Sequence, residues 1–484
     1  MLSNQQKNQH LMWRAGFGPA ASQLGQLQSL SPQQLFAALQ KASAKQPTFL
    51  DAADDYLKGL VKGIQEEGMR QVMTAEDRRM VQQQTRQAVR NLNLLWLDEM
   101  VHANGQLREK MAFFWHGHFA TRNLNVFYQQ QMLEVIRQHA LGSFRDLLHG
   151  VSKSAAMLFF LNAQQNRKGH PNENFAREVM ELFTLGRGHY SENDIKEAAR
   201  AFTGWSANLK GDFVFRKFQH DPGVKTVLNT SGNLEGEDVL DLLLEQKQTS
   251  QFIAEKVYRF FVNDTIDKAK VDWLAARFYK SDYNISQLLE DIFTSDWFYA
   301  EKNIGKKIKS PIELLAGIRR ILPMEIENSE AQLLLQKLLG QTLFYPPNVA
   351  GWPGGRSWID SSTMLLRMRL PQLISDNDEF NLRPKSDDDQ MMGRMDEKPA
   401  MTTKQTSIRI GRPIRAAIDW NSYTGNFAAT PREQLVGSIA STLLQVKPSF
   451  SHRLITQYTD SNNREAFVRS VTLQIMSTPE YQLC

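Results

Sequence analysis

His116 and His118, in the stretch FFWHGHF, are histidines whose spacing suggests a metal site. Glu178 and Glu181 could supply carboxylate oxygens to the same ion. Imidazole and carboxylate are common ligands of zinc, iron and manganese, so a divalent transition metal is the cofactor hypothesis. Residues two apart on a helix point to nearly opposite sides, so both histidines face one ion only if the helix ends at Gly117. In the competing interpretation both imidazoles pack among aromatic neighbours, with their nitrogens hydrogen-bonded.

A second set of residues suits acid–base catalysis. Glu173 and Arg177 lie four residues apart, and His220 and Asp221 stand together before a Pro-Gly pair. Neighbouring carboxylates raise one another's pKa, which is useful in a catalytic site. Arg177 is also four residues from Glu181, however, so ordinary ion pairing on a solvated or structural face is the competing interpretation. Asp-Pro-Gly alone explains a turn, but a turn does not require the histidine.

Aromatic side chains suggest a surface for ligand binding. The stretch YPPNVAGWPGGRSW holds Asn348, Trp352, Arg356 and Trp358, and its prolines and glycines restrict the conformations of the loop. Aromatic faces near amide and guanidinium groups bind sugars, flat ligands or peptides. The alternative is a plug whose tryptophans fill the core between helices. Trp205 is a further candidate for the ligand-binding wall.

A helical hairpin over residues 172–205 must position most of these side chains. The apolar residues of its first half recur with helical spacing, and Gly186 is a typical left-handed helix stop. Ser191 with Asp194 three residues later predicts a capping box for the second helix. The two helices then run antiparallel, and we expect Trp205 to lie near Glu173 and Arg177.

Five stretches carry a resemblance to a known family: HLMWRAGFG, KMAFFWHGHF, NENFAREVMELFTLGRGHYSENDIKEAARAFTGW, HDPGVKTVL and LGQTLFYPPNVAGWPGGRSWIDSS. In this order, from about residue 10 to about residue 370, they resemble the blocks of a large bacterial family catalogued as domain of unknown function 1800. The resemblance implies no activity, cofactor or catalytic residues, because the family has none established. Relatives are often encoded beside a sulfatase-like family, which implies a sulfatase-like protein as a partner.

Helical patterns dominate the chain. Ser-Pro or Thr-Pro followed by Gln or Glu predicts helix starts at Ser31, Ser310 and Thr430. A long helix is expected from about 74 to 103, because no glycine or proline interrupts that stretch. Further helices are predicted at about 107–116, 125–140, 143–152, 237–246, 249–262, 268–280, 285–294, 311–321 and 328–339.

The predicted fold class is all-α, a large bundle-like assembly of helices with one small β-hairpin near 212–228. Phe213 and Phe215 alternate with polar residues there, and Asp-Pro-Gly supplies turn chemistry. We expect a main helical domain over 1–374, a charged and methionine-rich excursion over 375–411, and a C-terminal helical lobe over 412–484 that docks on the main domain.

Composition narrows the function classes. Lys plus Arg is 57 against 52 for Asp plus Glu, a net charge of +5, and these charges are mostly interspersed. A nucleic-acid partner is not expected, because it would normally require a more concentrated basic face. The only cysteine is Cys484, so intrachain disulfides and cysteine metal cages are excluded.

The opening residues and the hydropathy pattern bear on compartment. There is neither a charged region leading into an apolar run nor a twin-arginine pair, and no apolar run reaches the length of a membrane span. The expectation is a cytoplasmic, soluble protein that does not span a membrane. Many of the resembling proteins are exported, so a periplasmic location is the alternative.

Two functions of different class follow from these patterns. The first is an enzyme with a His/carboxylate site, metal-dependent or not, that acts on a small or polymeric substrate. The second is a non-catalytic helical binding or assembly protein that works with a sulfatase-like partner. Phosphate-binding loops, nucleophile elbows, HExxH and paired Glu-x-x-His motifs do not occur in the sequence, which disfavours those familiar enzyme classes.

Overall fold

Helices contain most of the residues that this computed structural model describes, namely 2–59, 75–208, 210–375 and 414–484. In chain order they are α1 Asn4–Arg14, α2 Leu24–Ser29, α3 Pro32–Ser43, α4 Ala75–His102, α5 Gln106–His118, α6 Val126–His139, α7 Phe144–Ser152, α8 Ala155–Phe160, α9 Asn174–Glu178, α10 Glu192–Ala201, α11 Gly236–Glu245, α12 Lys247–Phe261, α13 Lys268–Lys280, α14 Ile285–Phe293, α15 Pro311–Ile321, α16 Ser329–Leu339, α17 Ser361–Ser375, α18 Trp420–Thr424, α19 Leu435–Leu443, α20 His452–Gln457 and α21 Arg464–Met476. The mostly helical fold class is confirmed, and the helices predicted by residue range are present with ends within about two residues of those expected.

Two of the three predicted helix starts are confirmed. Ser31 and Ser310 each accept a hydrogen bond from the backbone N–H three residues on and form capping boxes, with proline in the first turn. The prediction at Thr430 is wrong. A 3₁₀ turn, Arg432–Gln434, forms there and α19 begins at Leu435, because the N–H of Gln434 bonds to the carbonyl of Pro431 in the tighter i to i+3 pattern.

Six short strands form three antiparallel pairs in the described residues. They are β1 Trp205–Ala207, β2 Phe213–Phe215, β3 Lys225–Val227, β4 Thr230–Gly232, β5 Met324–Ile326 and β6 Ala416–Ile418. The pairs are β1 with β2, β3 with β4, and β5 with β6.

The two strands predicted near 212–228 are present, but they do not pair with each other as the predicted hairpin requires. β2 pairs backward with β1, and β3 pairs forward with β4. Asn208 closes the first hairpin by accepting hydrogen bonds from three following N–H groups. Leu228 and Asn229 close the second with left-handed backbone angles of 48° and 66°. Short turns cost less loop entropy than the longer connection through Asp-Pro-Gly, so each strand pairs with its nearest partner.

The chain divides into two compact units. The first contains Met1–Phe17, Leu30–Lys306 and Phe344–Trp352, and the second contains Gly18–Ser29, Lys307–Leu343 and Pro353–Cys484. The predicted excursion at 375–411 lies almost wholly outside the described residues. The predicted boundaries on either side of it stay predictions.

In the first unit, α4, α5 and α6 pack around a buried ion pair. Arg137 is fully buried and its guanidinium donates to Glu109 at 2.9–3.0 Å and to Glu99 at 3.0 Å. The indole of Trp96 donates to the same carboxylate of Glu109 at 2.9 Å. The carbonyl of Thr48 takes a further guanidinium hydrogen at 2.7 Å. The charges are therefore satisfied within the core, as burial requires.

The second unit also has cations in its core. Lys309 is fully buried, and its ammonium donates to the carbonyl of Tyr481 at 2.5 Å and lies 3.8 Å from the ring centre. Burial lowers the pKa of Lys309 to about 7. The guanidinium of Arg367, which is also fully buried, donates to the carbonyl of Lys309 at 2.9 Å. These contacts join the start of α15 to α17 and the C-terminal residues.

Across the described parts of the chain, we find no helix with the length and apolar character that crossing a membrane would demand.

Candidate functional site

The first helix of the predicted hairpin does not run as a single α-helix. α9 ends at Glu178 and continues as a π-helical segment, Val179–Thr184. Just after it the N–H groups of Leu185 and Gly186 both bond back to the carbonyl of Met180, at 2.9 and 3.2 Å. The segment ends at Gly186 with a left-handed φ of 80°, as the sequence predicts. π segments are rare and are frequently found at functional sites.

The last carbonyls of this π segment accept hydrogen bonds from side chains. Helix ends leave backbone carbonyls without helical partners, and other donors must satisfy them. Here the carbonyl of Phe183 lies 3.2 Å from Nε2 of His118, and the carbonyl of Leu182 lies 3.0 Å from Nζ of Lys256. The C-terminal end of α5 and the middle of α12 therefore meet at the π segment.

His118 accepts a hydrogen bond from Lys256. Its Nδ1 lies 3.1 Å from Nζ of Lys256. Because the carbonyl of Phe183 can only accept, the ring proton belongs on Nε2, and Nδ1 accepts from the lysine. Burial, followed by the positive charge of Lys256, lowers the pKa of His118 well below its ordinary value. His118 is therefore neutral and fixed in one tautomer.

Lys256 is held by three neighbours while staying partly accessible. Besides Leu182 and His118, the ring of Phe252 lies with its centre 4.5 Å from Nζ. No carboxylate is among these contacts, and burial lowers the pKa of Lys256 to about 8. At pH 7 about a tenth of such a lysine is the free amine, which can act as a base or nucleophile.

The two glutamates proposed as metal ligands have opposite pKa shifts. Burial, followed by repulsion from Glu181, raises the pKa of Glu178. Glu181 accepts from Arg187 at 2.5 Å and from the hydroxyl of Tyr190 at 2.9 Å, and the hydrogen bond from Arg187 is the main cause of its lowered pKa. Glu178 is thus the better candidate for a protonated carboxyl, and Glu181 is an ion-pair partner.

His116 has a different environment from His118, although only Gly117 separates them. Its Nε2 accepts the backbone N–H of Phe344 at 3.2 Å, and its ring packs against Trp96 with a centre distance of 5.0 Å. Burial lowers its pKa to about 3. Each histidine therefore accepts one hydrogen bond through a ring nitrogen, His118 from Lys256 and His116 from the backbone of Phe344.

These bonds correspond to the packed alternative considered for the two histidines. Over residues 2–59, 75–208, 210–375 and 414–484 there is no group of three or more His, Cys, Asp or Glu side chains that could hold a metal ion. The metal hypothesis gains no support from the geometry of His116, His118, Glu178 and Glu181.

The stretch YPPNVAGWPGGRSW, residues 345–358, is called the tryptophan loop. Its first part belongs to the first unit and packs on α5. The indole of Trp352 lies 5.6 Å from the ring of His116, centre to centre, and is half-buried. Gly351 has a φ of 79°, and a Cβ at that position would overlap the carbonyl oxygen of Gly117. Asn348 is exposed and accepts the N–H of Ala350 at 2.9 Å, which shapes the turn.

The rest of the loop belongs to the second unit. Arg356 is exposed within a 3₁₀ turn, Gly355–Trp358. Trp358 is buried, and its carbonyl accepts the hydroxyl of Thr363 at 3.0 Å. Trp358 therefore behaves as a core residue, while ligand binding by Arg356 and Asn348 stays a prediction.

Glu173 and Arg177 come together as predicted, but as a surface ion pair. The guanidinium of Arg177 donates to Glu173 at 3.2 Å and to both oxygens of Glu192 at 2.8 and 3.0 Å. Trp205 is fully buried, with ring-centre distances of 5.0 Å to Phe202 and 6.1 Å to Phe175. These contacts favour an ion-paired hairpin face and a tryptophan that fills the core.

His220 and Asp221 anchor the segment that follows β2. Nδ1 of His220 lies 3.0 Å from the carbonyl of Thr203, and the N–H of Asp221 donates to the Thr203 hydroxyl at 2.8 Å. Asp221 accepts from Nε of Arg200 at 2.8 Å, and this bond lowers the pKa of Asp221 to about 2. The carboxylate is therefore ionised and engaged, and its visible role is to tie the segment to the end of α10.

Lys256 was missed from the sequence. It stands on α12 among Phe252, Ile253, Val257 and Phe260, so the available signal was a lysine on an otherwise apolar helical stripe. Nothing in the spacing of residues 118, 182 and 256 indicates that they meet. Only the packing of α5, the π segment and α12 brings them together.

The fold and site define a mostly α-helical protein with a lysine–histidine pair at a π turn. The chain belongs to the family described as protein of unknown function (DUF1800), which matches residues 10–483. The match thus extends beyond the five stretches, through the C-terminal helices. No curated protein and no solved structure matches the chain.

Proposed function

We propose that this protein is an enzyme whose reacting group is the amine of Lys256. The observation that carries the proposal is the 3.1 Å contact of Nζ with Nδ1 of His118, at a lysine that pairs with no carboxylate in the described part of the chain. A lysine whose pKa is about 8 exchanges its proton near neutral pH. That property suits general-base or amine-nucleophile chemistry on a small or polymeric substrate.

In this proposal His118 positions the lysine. Its ring is neutral, its Nε2–H is fixed by the carbonyl of Phe183, and its Nδ1 therefore always presents a lone pair to Lys256. The carbonyl of Leu182 holds a second hydrogen of the amine. The third hydrogen, or the lone pair of the free amine, is left to face a substrate.

The amine can be tested before a substrate is identified. Competitive labelling with trace acetic anhydride at a series of pH values, read by peptide mass spectrometry, gives the titration of each lysine. We expect Lys256 to titrate near pH 8 and Lys217, an exposed lysine, to supply the reference curve. Coincident curves for the two lysines would remove the basis of the proposal.

The activity itself is tested with paired variants. A screen of ester, phosphoester, glycoside and carbonyl substrates identifies a turnover in the wild type, and Lys256→Met should reduce it about a hundredfold to ten-thousandfold. His118→Gln should lower turnover and alter its pH profile. His116→Gln is the matched control, because it removes an equally buried imidazole outside the pair. Full turnover in Lys256→Met would show that the reacting group is elsewhere.

A non-catalytic binding or assembly protein remains the second candidate. It is favoured by the ion pairs of Arg177 and Asp221, which engage residues predicted to be catalytic in holding the hairpin together. In this second candidate function, the protein works with a sulfatase-like partner. Co-purification of such a protein with Lys256→Met as efficiently as with the wild type, together with no turnover in either, would favour binding over catalysis.

A further inference from the structure

Among the described residues, none covers the apolar side chain of Phe218. It lies in a 3₁₀ turn, Lys217–Gln219, and its exposed fraction is 102%, the value of a side chain that touches almost nothing. Val224, six residues on, is 68% exposed. Single exposed apolar residues are common, but a phenyl ring that lies almost wholly in solvent is an unusual case and points to a binding surface.

The backbone that carries Phe218 is firmly fixed. The N–H of Arg216 donates to the carbonyl of Gly204 at 2.8 Å, and the N–H of Lys168 donates to the carbonyl of Gln219 at 2.7 Å. Gly204 has a φ of 85°, and a Cβ there would lie 2.8 Å from the carbonyl oxygen of Arg216. Close approach of the two backbones therefore presents Phe218 on a rigid support, so little entropy is lost when it binds.

Basic residues lie close to Phe218 along the backbone. Arg216 and Lys217 precede it directly, and the Lys168 backbone bond brings a second exposed basic turn alongside. The nearest carboxylates in the chain are engaged: Asp221 bonds to Arg200 at 2.8 Å, and Asp212 bonds to the amide of Asn208 at 2.9 Å. The exposed residues Lys168, Arg216, Lys217 and Phe218 are called the aromatic–basic patch below.

We propose that the aromatic–basic patch docks on an anionic phospholipid bilayer. Charge complementarity carries the choice, because the patch has three exposed basic residues and the head groups of such a bilayer are negative. A bilayer also accepts a protruding phenyl ring at the boundary of head groups and acyl chains without a matching pocket. A protein partner would need a cavity shaped for Phe218, and a nucleic acid would favour a broader basic face.

The test is flotation of the full-length protein with vesicles of phosphatidylcholine alone and of phosphatidylcholine mixed with phosphatidylglycerol. Wild type should float only with the mixed vesicles, and added salt should weaken the binding. Phe218→Ser should lower the partition coefficient about tenfold. The Arg216→Ser/Lys217→Ser double variant should lower it about twentyfold or more, since each cation near the surface contributes about fivefold. Tyr458→Ser, which removes an aromatic side chain that is 70% exposed elsewhere, should bind like wild type.

A second measurement reports insertion of the side chain itself. The only cysteine, Cys484, is buried, so Phe218→Cys can be labelled selectively with a polarity-sensitive fluorophore. Mixed vesicles should shift the emission of this label to the blue and leave a label at Tyr458→Cys unchanged. The proposal fails if wild type does not float, if Phe218→Ser floats equally well, or if the label at position 218 stays in water. Capture by an acidic protein or nucleic acid without flotation would also overturn it.

Discussion

Lys256 and His118 are held mainly by backbone carbonyls, and this explains their protonation. Carbonyls of the π segment accept from both side chains but bring no negative charge. Burial therefore lowers the pKa of each group, and no carboxylate of the described residues compensates. Asp221 shows the opposite case, because its bond with Arg200 keeps it ionised. The immediate neighbours of each side chain therefore determine its pKa and its protonation state.

The lowered pKa of Lys256 predicts a pH-dependent stability difference between wild type and Lys256→Met. Because the pKa is about 8 in the folded protein and 10.5 ordinarily, the unfolded chain binds more protons between these values. The unfavourable contribution of the buried ammonium is complete below pH 8 and disappears as pH rises toward 10.5. The free energy of unfolding of wild type should therefore rise relative to the variant by on the order of 2 kcal/mol across that window.

Urea denaturation of both proteins at about pH 7 and about pH 10 measures this difference. Ionisation of other groups affects the two proteins equally and cancels in the comparison. A gap that stays constant with pH would mean that Lys256 titrates alike in the folded and unfolded states.

At the scale of elements, the end of α5 is enclosed by backbone on two sides. The π segment lies against His118, and the segment Phe344–Trp352 lies against His116 and Gly117. The last turn of α5 can thus direct two histidines, two residues apart, to different neighbours. Side chains two residues apart on a helix point to nearly opposite sides, and here each histidine contacts a different segment.

The close contact of Gly351 with Gly117 predicts a large effect of adding one methyl group. Gly351→Ala should destabilise the protein by about 3 kcal/mol or more, because it combines a left-handed φ with overlap of the Gly117 carbonyl. Gly188→Ala is the matched control in the same unit, since its φ is 84° and nothing lies within 4 Å of the added atom. Its cost should be only about 1–2 kcal/mol. Thermal and urea unfolding measure both, and equal losses would contradict the close approach.

At the scale of the whole molecule, ion pairs occur in two kinds of environment. Arg137 and Glu109 are buried in the first unit, and several elements converge on them. Arg177 forms its pairs at the surface of the same unit. Solvent screens exposed pairs, whereas a buried charge that loses its partner has no water to replace it. We therefore expect loss of the arginine to lower the free energy of unfolding far more in the buried pair than in the exposed pairs.

Two arginine variants test this contrast. Arg137→Met leaves the Glu109 carboxylate buried without its cation and should cost about 3–5 kcal/mol. Arg177→Met leaves Glu173 and Glu192 in contact with solvent and should cost less than about 1 kcal/mol. Chemical denaturation of the two variants and the wild type measures both losses in the free energy of unfolding. A large loss in Arg177→Met would give its surface pair a structural importance that its exposure does not predict.

The sequence predicted the local features of the fold closely. The box of Ser191 with Asp194 and the stop at Gly186 are both present, because capping depends on residues only a few positions apart. Strand pairing after Trp205 was predicted wrongly, since alternation identifies strands but does not choose among neighbouring partners. The π segment was also missed, because the apolar spacing of an α-helix and of a short π turn is nearly the same.

The sequence by itself determined most of the helices and caps and the chemical types available to a site. Each depends on periodicity or on contacts within a few residues, which the order of amino acids fixes directly. Tertiary structure alone decided that Lys256 meets His118, that His116 turns toward Phe344, and that Phe218 is left in water. The two histidine contacts join residues more than a hundred positions apart, and the turn that carries Phe218 is held by backbone bonds to residues 168 and 204. Burial then sets the pKa of each group in the lysine–histidine pair.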